Sequence, residues 1–319
     1  MHEIMMRIGE VGIVPVIKLD SADKAVPLGK ALVAGGVPVA EVTFRTACAP
    51  ESIAAMAAHV PGLLVGAGTV TTAAQAKAAL DAGARFVVCP AWDDSVVDFC
   101  LERGLPVLPG VSGPDGVARG AARGLEVLKF FPAEASGGVP MLDALAGPFG
   151  NIRFVPTGGI DSTNVGAYAR RPQVHAIGGS WMVKADMVES GDWAGIERLC
   201  REAVLALHGF AFAHMGANGA EEAEARKASE LFSSLFGFVA KEGTASIFAS
   251  DSIELTKKPY PGAKGHIGIR CNDVERAVAR FRDLGIDALP DTAKSEKGRL
   301  KAIYLKLEIM GFAIHLLRA

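Results

Sequence analysis

The sequence predicts an α/β part of eight strand–helix units followed by a smaller α+β part of two repeated units. Eight short apolar runs alternate with Ala-rich stretches over residues 1–208. From about residue 211 the alternation stops, and one strand, one helix and three strands then follow each other twice. The length of 319 residues also suits about two domains. We therefore expect domains at 1–208 and 211–319.

Each apolar run of the first part has the length of a buried strand, and several end in Gly or Pro, as strand–helix loops do. Between them, stretches such as residues 71–84 repeat apolar residues every three or four positions, which is the helical period. Eight such units predict a parallel sheet closed into a (β/α)8 barrel. The runs are residues 13–18, 39–44, 63–68, 86–90, 106–110, 126–132, 152–159 and 175–181.

An open, doubly wound sheet is the alternative architecture for the first part. No G-x-G-x-x-G sequence follows the first run, so a dinucleotide site is not expected.

The second part has a period of about fifty residues and predicts two βαβββ units. The first unit contains a charged helix, and the second opens after a Pro- and Gly-rich linker. The predicted elements of the first unit are the helix 220–235 and the strands 213–217, 238–243, 244–250 and 251–258. Those of the second unit are the strand 266–271, the helix 273–285, a weak strand near 287–291 and the strands 300–307 and 311–318.

Composition excludes several classes of protein. The 33 Lys and Arg against 35 Asp and Glu give a net charge of −2, which predicts no nucleic-acid or anionic-membrane partner. No apolar run approaches the ~18 residues of a membrane span. The N-terminus carries Glu3, Arg7 and Glu10 and lacks the apolar core of a signal peptide. Five widely spaced cysteines indicate a reducing compartment, so we expect a soluble cytoplasmic protein.

Lys129 lies inside the apolar sixth run. Desolvation disfavours the ammonium form, and a neutral amine can attack a carbonyl and form a Schiff base. A strand-end lysine that reaches solvent is the structural alternative.

Glu41, Thr43 and Arg45 share one face of the second run because strand side chains alternate. A carboxylate and a guanidinium on the inner face of a barrel would suit acid/base chemistry beside a clamp for a substrate carboxylate. A Glu–Arg pair that only satisfies itself is the alternative.

Glycine-rich segments follow three of the runs. Gly66 to Thr69 would let backbone approach a ligand, with the Thr69 hydroxyl as a donor. Two Gly-Gly pairs follow the seventh and eighth runs, where many barrels bind phosphate.

These segments together resemble the 2-keto-3-deoxy-6-phosphogluconate (KDPG) and 4-hydroxy-2-oxoglutarate (KHG) aldolases. The resemblance extends over residues 5–208 in order and spacing. The matching segments are residues 14–17 (VPVI), 41–46 (EVTFRT), 66–70 (GAGTV), 109–112 (PGVS), 128–134 (LKFFPAE), 156–160 (PTGGI) and 178–181 (GGSW). After Cys89 and Pro90 the chain continues Ala-Trp-Asp and departs from the usual family pattern.

The resemblance implies a class I aldolase of the Entner–Doudoroff pathway that cleaves KDPG to pyruvate and glyceraldehyde 3-phosphate. Cleavage of KHG to pyruvate and glyoxylate is the other activity of the family, and the choice between the two substrates stays open. The resemblance also implies a homotrimer and no cofactor for the aldolase reaction. Lys129 would form the Schiff base and Glu41 would transfer protons. Arg45 and Thr69 would hold the pyruvyl carboxylate. The residues implied at the phosphate are Thr157, Gly158, Gly159, Gly179 and Ser180.

Two other functions remain open. A phosphosugar isomerase or epimerase on the same barrel would share the Gly-Gly phosphate site but would not need Lys129. Alternatively, the second part could be an effector-binding or oligomerisation module that tunes the aldolase.

Histidines recur at matching positions of the second part. His214 and His266 begin the first strand of each unit, while Glu254 and His315 occupy matching places in the last strands. The paired βαβββ order resembles the glyoxalase/vicinal-oxygen-chelate family, which implies that these four residues bind one divalent metal. His315 stands where that family commonly has glutamate. The alternative is a metal-free domain with hydrogen-bonded core histidines.

Overall fold

The computed structural model describes residues 1–319, which form two compact units, Met1–Leu207 and His208–Ala319. Each of the eight runs contains a strand, and the fifth run is interrupted after Leu108. The strands of the first unit are β1 (Ile13–Ile17), β2 (Val39–Thr43), β3 (Leu64–Gly68), β4 (Val87–Val88), β5 (Val107–Leu108), β6 (Gly110–Val111), β7 (Val127–Phe130), β8 (Arg153–Pro156) and β9 (Ile177–Gly179).

Helices connect these strands and confirm the mixed α/β fold. Thr72 and Asp93 cap two of them by accepting hydrogen bonds from backbone N–H groups. The helices are α1 (Glu3–Val11), α2 (Ala25–Ala34), α3 (Ala49–His59), α4 (Ala73–Asp81), α5 (Asp94–Glu102), α6 (Pro114–Ala122), α7 (Gly138–Ala146), α8 (Val165–Ala169), α9 (Ala185–Ser190) and α10 (Trp193–His208).

Every strand pair in the first unit is parallel. Six strands pair in the order β5-β4-β3-β2-β1-β9, and three pair in the order β6-β7-β8. Single bridges from Phe154 to Val174 and from Thr157 to Gly178 join the β8 region to the β9 region. The carboxyl ends of all these strands therefore point the same way, and side chains at those ends can share one site.

Alternating strand faces produce two apolar clusters in the first unit. Ile17 and Val42 pack in the larger cluster with the helices. Val39 and Val127 face the other way and join a smaller cluster that includes Ile8 of α1. Helix α1 was not expected from the sequence. Complete burial of Ile8, worth about 1.5–3 kcal/mol, helps to hold it in place.

The second unit is a single eight-stranded sheet in the order β11-β12-β13-β10-β14-β17-β16-β15. Its two halves meet where β10 and β14 pair antiparallel, and each of these strands has the last strand of its own repeat as its parallel neighbour. The elements are β10 (Ala211–Asn218), α11 (Glu222–Phe236), β11 (Lys241–Glu242), β12 (Ser246–Ser250), β13 (Ile253–Thr256), β14 (Gly265–Cys271), α12 (Val274–Asp283), β15 (Lys294–Glu296), β16 (Arg299–Ile309) and β17 (Phe312–Arg318).

The expected weak strand near residues 287–291 was wrong. Only one bridge, from Ala288 to Leu305, forms there, and a 3-10 turn over Pro290–Thr292 follows. Pro290 has no N–H to donate to a strand partner. The second unit instead obtains its edge strand from β15, which pairs antiparallel with β16.

No helix in the structure combines the length and the apolar character that a membrane crossing requires.

Candidate active site

Lys129 on β7 and Glu41 on β2 form a buried ion pair. Their Nζ and Oε1 atoms are 3.2 Å apart, and the side chains are 6% and 3% exposed. The strands β2 and β7 belong to different sheets, so the ion pair joins the inner face of one sheet to the inner face of the other. Lys129 therefore does not reach solvent. The Glu41 carboxylate is paired with this lysine and not with Arg45.

Strand alternation and one glycine position this pair. Val127 and Val39 lie two residues before Lys129 and Glu41, on the same faces, and belong to the inner apolar cluster. Gly68, at the end of β3, leaves room for the carboxylate. A Cβ atom built there would lie 2.3 Å from Glu41 Oε1 and 2.4 Å from its Cγ. The sequence predicted a close approach of the Gly66 to Thr69 backbone to a ligand, but not this packing role of Gly68.

Two other groups surround the lysine. The Phe131 ring centroid lies 5.3 Å from Lys129 Nζ, within the range of a cation–π contact. Burial, with a smaller contribution from Cys100, raises the pKa of the Cys89 thiol to about 12. Cys89 is therefore a protonated thiol at neutral pH, which leaves the amine as the better-placed nucleophile.

Arg45 and Thr69 lie together just beyond the ends of β2 and β3. Arg45 Nε is 3.5 Å from Thr69 Oγ1, at the outer limit of a hydrogen bond, and Arg45 is exposed. Thr69 has a φ of 55°, an uncommon conformation for a residue other than glycine. Thr43, by contrast, donates a 2.8 Å hydrogen bond to the Ile17 carbonyl, so its hydroxyl is occupied within the fold.

The two Gly-Gly segments meet at the ends of β8 and β9. Thr157 and Gly178 form a parallel bridge, and a Cβ atom at Gly178 would lie 2.2 Å from Thr157 Oγ1. Gly158 and Gly159 have φ values of 102° and 78°, which favour glycine. The residues expected at a phosphate thus lie on adjacent strand ends, and Ser180 at the end of β9 is exposed.

Glu134 supports this loop, a role that sequence reasoning missed. Its backbone N–H donates to the Gly158 carbonyl at 3.1 Å, and its carboxylate accepts a hydrogen bond from the Tyr168 hydroxyl. Asn164 Nδ2 donates to the Gly159 carbonyl at 3.0 Å. The only available signal was the position of Glu134 at the end of the LKFFPAE segment.

Three histidines of the second unit, His214 on β10, His266 on β14 and His315 on β17, have ligand atoms within 4.8 Å of one another. Glu254 on β13 lies beside His214 and His266. His214 Nε2 lies 3.2 Å from His266 Nε2 and 3.2 Å from His315 Nε2. Glu254 Oε2 lies 3.0 Å from Nε2 of both His214 and His266. The structure therefore brings together all four residues expected from the repeat.

Hydrogen bonds alone cannot satisfy this cluster. A neutral imidazole nitrogen carries either one proton or one lone pair. His214 Nε2 nevertheless has three polar neighbours within 3.2 Å. One cation held by the three imidazoles, with Glu254 beside two of them, would remove this conflict, and imidazole with carboxylate suits Zn²⁺ and similar divalent ions. The donor set thus fits a metal.

The ionisation states of the cluster also suit a cation. Burial and the neighbouring His266 and His214 lower the pKa of His315 to about 3, so His315 is neutral at pH 7. Burial opposes ionisation of Glu254. Hydrogen bonds from His214, His266 and Ser246 outweigh that effect and hold the pKa of Glu254 well below its usual range. Metal ligands must be deprotonated, and these two groups are.

Comparison with known proteins places the first unit in a family. The KDPG and KHG aldolase family profile matches residues 4–199. The 2-dehydro-3-deoxy-phosphogluconate aldolase of Dickeya dadantii is 48% identical over 192 residues, which cover 60% of this chain and 90% of that protein. The KHG/KDPG aldolase of Escherichia coli is 47% identical, with the same coverage of both chains.

A solved structure agrees with this match. The KDPG aldolase of Legionella pneumophila, crystallised with pyruvate captured as a covalent carbinolamine intermediate, aligns with a TM-score of 0.61 and 36% identity. The alignment covers 62% of this chain and 97% of that chain. The shared fold and sequence, together with the buried lysine–carboxylate pair, lead to one conclusion: the chain belongs to the KDPG and KHG aldolase family.

Proposed function

We propose that the first unit is a class I aldolase, a lyase that cleaves KDPG to pyruvate and glyceraldehyde 3-phosphate and that also accepts KHG. The observation that carries this proposal is the 3.2 Å contact between Lys129 Nζ and Glu41 Oε1, out of solvent. The relatives named above, at 47–48% identity, carry these two activities in their names.

Each step follows from these two side chains. Glu41 takes a proton from the Lys129 ammonium, and the neutral Nζ attacks the C2 ketone to form a carbinolamine. The carbinolamine hydroxyl takes that proton and leaves as water, so a protonated imine forms and the Glu41 carboxylate is restored. Glu41, acting through a water molecule, takes the proton of the C4 hydroxyl. The C3–C4 bond breaks, and its electron pair enters the imine to give an enamine and the aldehyde. Protonation of the enamine at C3 and hydrolysis release pyruvate. The protonated imine accepts the electron pair, so the reaction needs no metal cofactor.

Substrate recognition is assigned to the strand ends. Arg45 and Thr69 would bind the pyruvyl carboxylate, because a guanidinium and a hydroxyl stand together there. Backbone N–H groups near Gly158 and Gly159, with Ser180 and Gly179 opposite, would bind the phosphate. Thr157 would support them from its bridge to Gly178. A phosphate site favours KDPG over the unphosphorylated KHG.

The architecture belongs to the same proposal. The strand pairings and the two bridges support closure of the eight strand positions into a (β/α)8 barrel. A homotrimer of such barrels and a cytoplasmic location rest on the family resemblance. The aldolase domain would end at 208, and the second domain would occupy 211–319.

Borohydride trapping with pyruvate tests the aldolase proposal. Reduction should fix one pyruvyl adduct, and peptide mass spectrometry should find it on Lys129. Lys129→Ala should abolish the adduct, whereas Lys77→Ala, at an exposed lysine of α4, should retain it. Folded protein without an adduct would remove the Schiff-base mechanism and favour a phosphosugar isomerase or epimerase.

The second unit supports a second candidate function, divalent metal binding at His214, Glu254, His266 and His315 in a glyoxalase-like fold. The ligand atoms of the three histidines lie within 4.8 Å of one another, and Glu254 lies 3.0 Å from His214 and His266, which favours this site over a metal-free module. Elemental analysis after dialysis against Zn²⁺ should find one ion per chain, and His266→Ala should lose it. Absence of bound metal would favour an effector-binding or oligomerisation role.

A further inference from the structure

We infer that Glu134 and Tyr168 are positioning residues that give the aldolase site its affinity for a phosphorylated substrate. Glu134 shapes the Gly-Gly loop that follows β8, and Tyr168 holds Glu134 in place. The inference rests on the aldolase function proposed above and deepens it, because it names the residues that separate KDPG, which carries a phosphate, from KHG, which does not.

The backbone of Glu134 and its neighbour Ala133 fixes one side of the loop. Ala133 N–H donates to the Thr157 carbonyl at 2.8 Å, and Glu134 N–H donates to the Gly158 carbonyl at 3.1 Å. In a trans peptide the N–H points opposite to the carbonyl. The N–H groups of Gly158 and Gly159 therefore point away from Glu134, so a phosphate that accepts from them would bind on the opposite side of the loop.

The Glu134 side chain lies directly against the loop. A Cβ atom built at Gly159 would lie 2.7 Å from both Cβ and Cγ of Glu134. Gly159 also has a φ of 78°, which favours glycine. The Glu134 side chain thus fills the space beside the Gly159 Cα atom and limits the conformations that the loop can take.

Tyr168 determines where the Glu134 carboxylate lies. Its hydroxyl donates a hydrogen bond to Glu134 Oε1. Tyr168 is 1% exposed, whereas Glu134 is exposed, so a buried ring anchors a surface carboxylate. Burial, with the hydrogen bond to Glu134 as the next contribution, raises the pKa of Tyr168 well above its usual range. The hydroxyl therefore keeps its proton and remains a donor.

This anchor also controls a negative charge beside the loop. A carboxylate that moved toward a bound phosphate would repel it, because both groups are negative. The hydrogen bond from Tyr168 keeps Glu134 Oε1 turned toward α8, the helix that carries Tyr168. Loss of the hydroxyl should therefore weaken phosphate binding both by loosening the loop and by releasing the charge.

Helix α8 holds the far end of the same loop. Asn164, directly before α8, donates from Nδ2 to the Gly159 carbonyl at 3.0 Å. Its Oδ1 accepts from Asp161 N–H at 2.9 Å. The loop is thus held by the segment around Glu134 on one side and by α8 on the other, and the hydrogen bond from Tyr168 to Glu134 joins these two supports.

Steady-state kinetics with the two substrates test this role. Tyr168→Phe removes the anchor, so KM for KDPG should rise about tenfold, while kcat for KDPG and both constants for KHG change by less than about twofold. Glu134→Ala, at an exposed residue, should give the same pattern. Glu134→Gln keeps an oxygen that accepts from Tyr168 and should retain the parent KM. Tyr260→Phe, in the second unit, is the matched control and should change neither substrate's kinetics.

A double variant tests whether Tyr168 acts through Glu134. Tyr168→Phe combined with Glu134→Ala should raise KM for KDPG no further than either substitution alone. Pyruvate carries no phosphate, so borohydride should trap it on Lys129 at the parent rate in every one of these variants. That rate also reports whether each variant keeps a folded active site.

Three outcomes would overturn the inference. One is an unchanged KM for KDPG in both Tyr168→Phe and Glu134→Ala. Another is an equal loss with KDPG, KHG and pyruvate, which would indicate a general packing role. The third is additive effects in the double variant, which would separate Tyr168 from Glu134. A parent chain that traps no pyruvate would instead overturn the proposed aldolase function and, with it, this inference.

Discussion

The two units bury polar groups in opposite ways. In the first unit, Lys129 and Glu41 carry opposite charges and satisfy each other in one contact. In the second unit, three imidazoles and one carboxylate crowd one point, where His214 has more polar neighbours than hydrogen bonds to offer. Both arrangements lie on sheet faces where apolar residues would pack at lower cost.

This difference teaches what each site requires. A self-satisfied ion pair keeps its shape without a ligand, and once Glu41 takes a proton from the ammonium, the neutral amine of Lys129 can attack a carbonyl. A cluster with more polar contacts than protons to share is where we propose a bound cation. We therefore expect changes in one unit to leave the chemistry of the other unit unchanged, and the substitutions at Glu41 and at two glycines test this independence.

Glu41→Gln should have the largest effect. Loss of the acid/base carboxylate should lower kcat for KDPG cleavage by about 10²- to 10⁴-fold. Lys129 remains, so borohydride should still trap pyruvate, and zinc content should not change. Coupled assays of pyruvate release measure kcat. Full activity in this variant would remove Glu41 from the mechanism.

Arg45→Ala should act on binding more than on chemistry. Loss of the guanidinium removes one or two charged hydrogen bonds to the pyruvyl carboxylate, so KM should rise about 10- to 100-fold. The value of kcat should change much less, and steady-state kinetics separate the two effects. An unchanged KM would place the carboxylate elsewhere.

Two matched glycine substitutions, one in each unit, should each impair only the site of its own unit. Gly68→Ala displaces Glu41, so kcat should fall about 10- to 100-fold while zinc affinity stays constant. Gly268→Ala crowds His214 and His315, so zinc affinity should fall while kcat stays constant.

Gly150→Ala is the control for both substitutions, because its nearest neighbour would be 3.7 Å away. It should change neither kcat nor zinc affinity. Loss of both properties in either of the other variants would contradict the independence of the two sites.

Acid should destabilise the metal-free second unit through His208. Burial and the nearby Arg276 and Arg280, opposed by Asp273, lower the pKa of His208 to about 3. An unfolded histidine titrates near 6.5, so this contribution to stability is present above pH 6.5 and is lost as pH falls toward 3. His208 alone should contribute a slope of about 1.4 kcal/mol per pH unit, and His315, whose pKa is also lowered to about 3, adds to the total.

His208→Gln should remove the proton that His208 takes up on unfolding, and so reduce the slope of the unfolding free energy by up to about 1.4 kcal/mol per pH unit. Urea unfolding with a chelator present, followed by circular dichroism from pH 7 to 4, measures it. The chain's three tryptophans, Trp92, Trp181 and Trp193, all lie in the first unit, so their fluorescence reports that unit separately. A slope that does not change in His208→Gln would assign the acid sensitivity to other groups.

The sequence was sufficient for features that depend on local patterns. The eight strand positions follow from runs of apolar residues, and the meeting of the His214 and His266 side chains follows from the repeat. Lys129 stood out because a charged residue within an apolar run has few explanations. These signals depend on periodicity, which survives in a single sequence.

Features that depend on distant partners could not be predicted. The weak strand near Pro290 failed because its place in the sheet is taken by β15, and helix α1 follows from packing under the inner cluster. Glu134 acts through Tyr168, thirty-four residues away. The hydrogen bond that the Thr43 hydroxyl donates to the Ile17 carbonyl likewise joins two strands, and no local sequence pattern predicts it.

Gly216 and Gly268, one in each half of the sheet, bear on how the second unit could have arisen. Gly216 makes space for His266, and Gly268 makes space for His214. One copy of the His-x-Gly strand therefore builds only half of the space and supplies only half of the ligands. Two identical copies related by a twofold axis would supply both. A self-associating half-length ancestor could thus have carried the site before its gene was duplicated and fused.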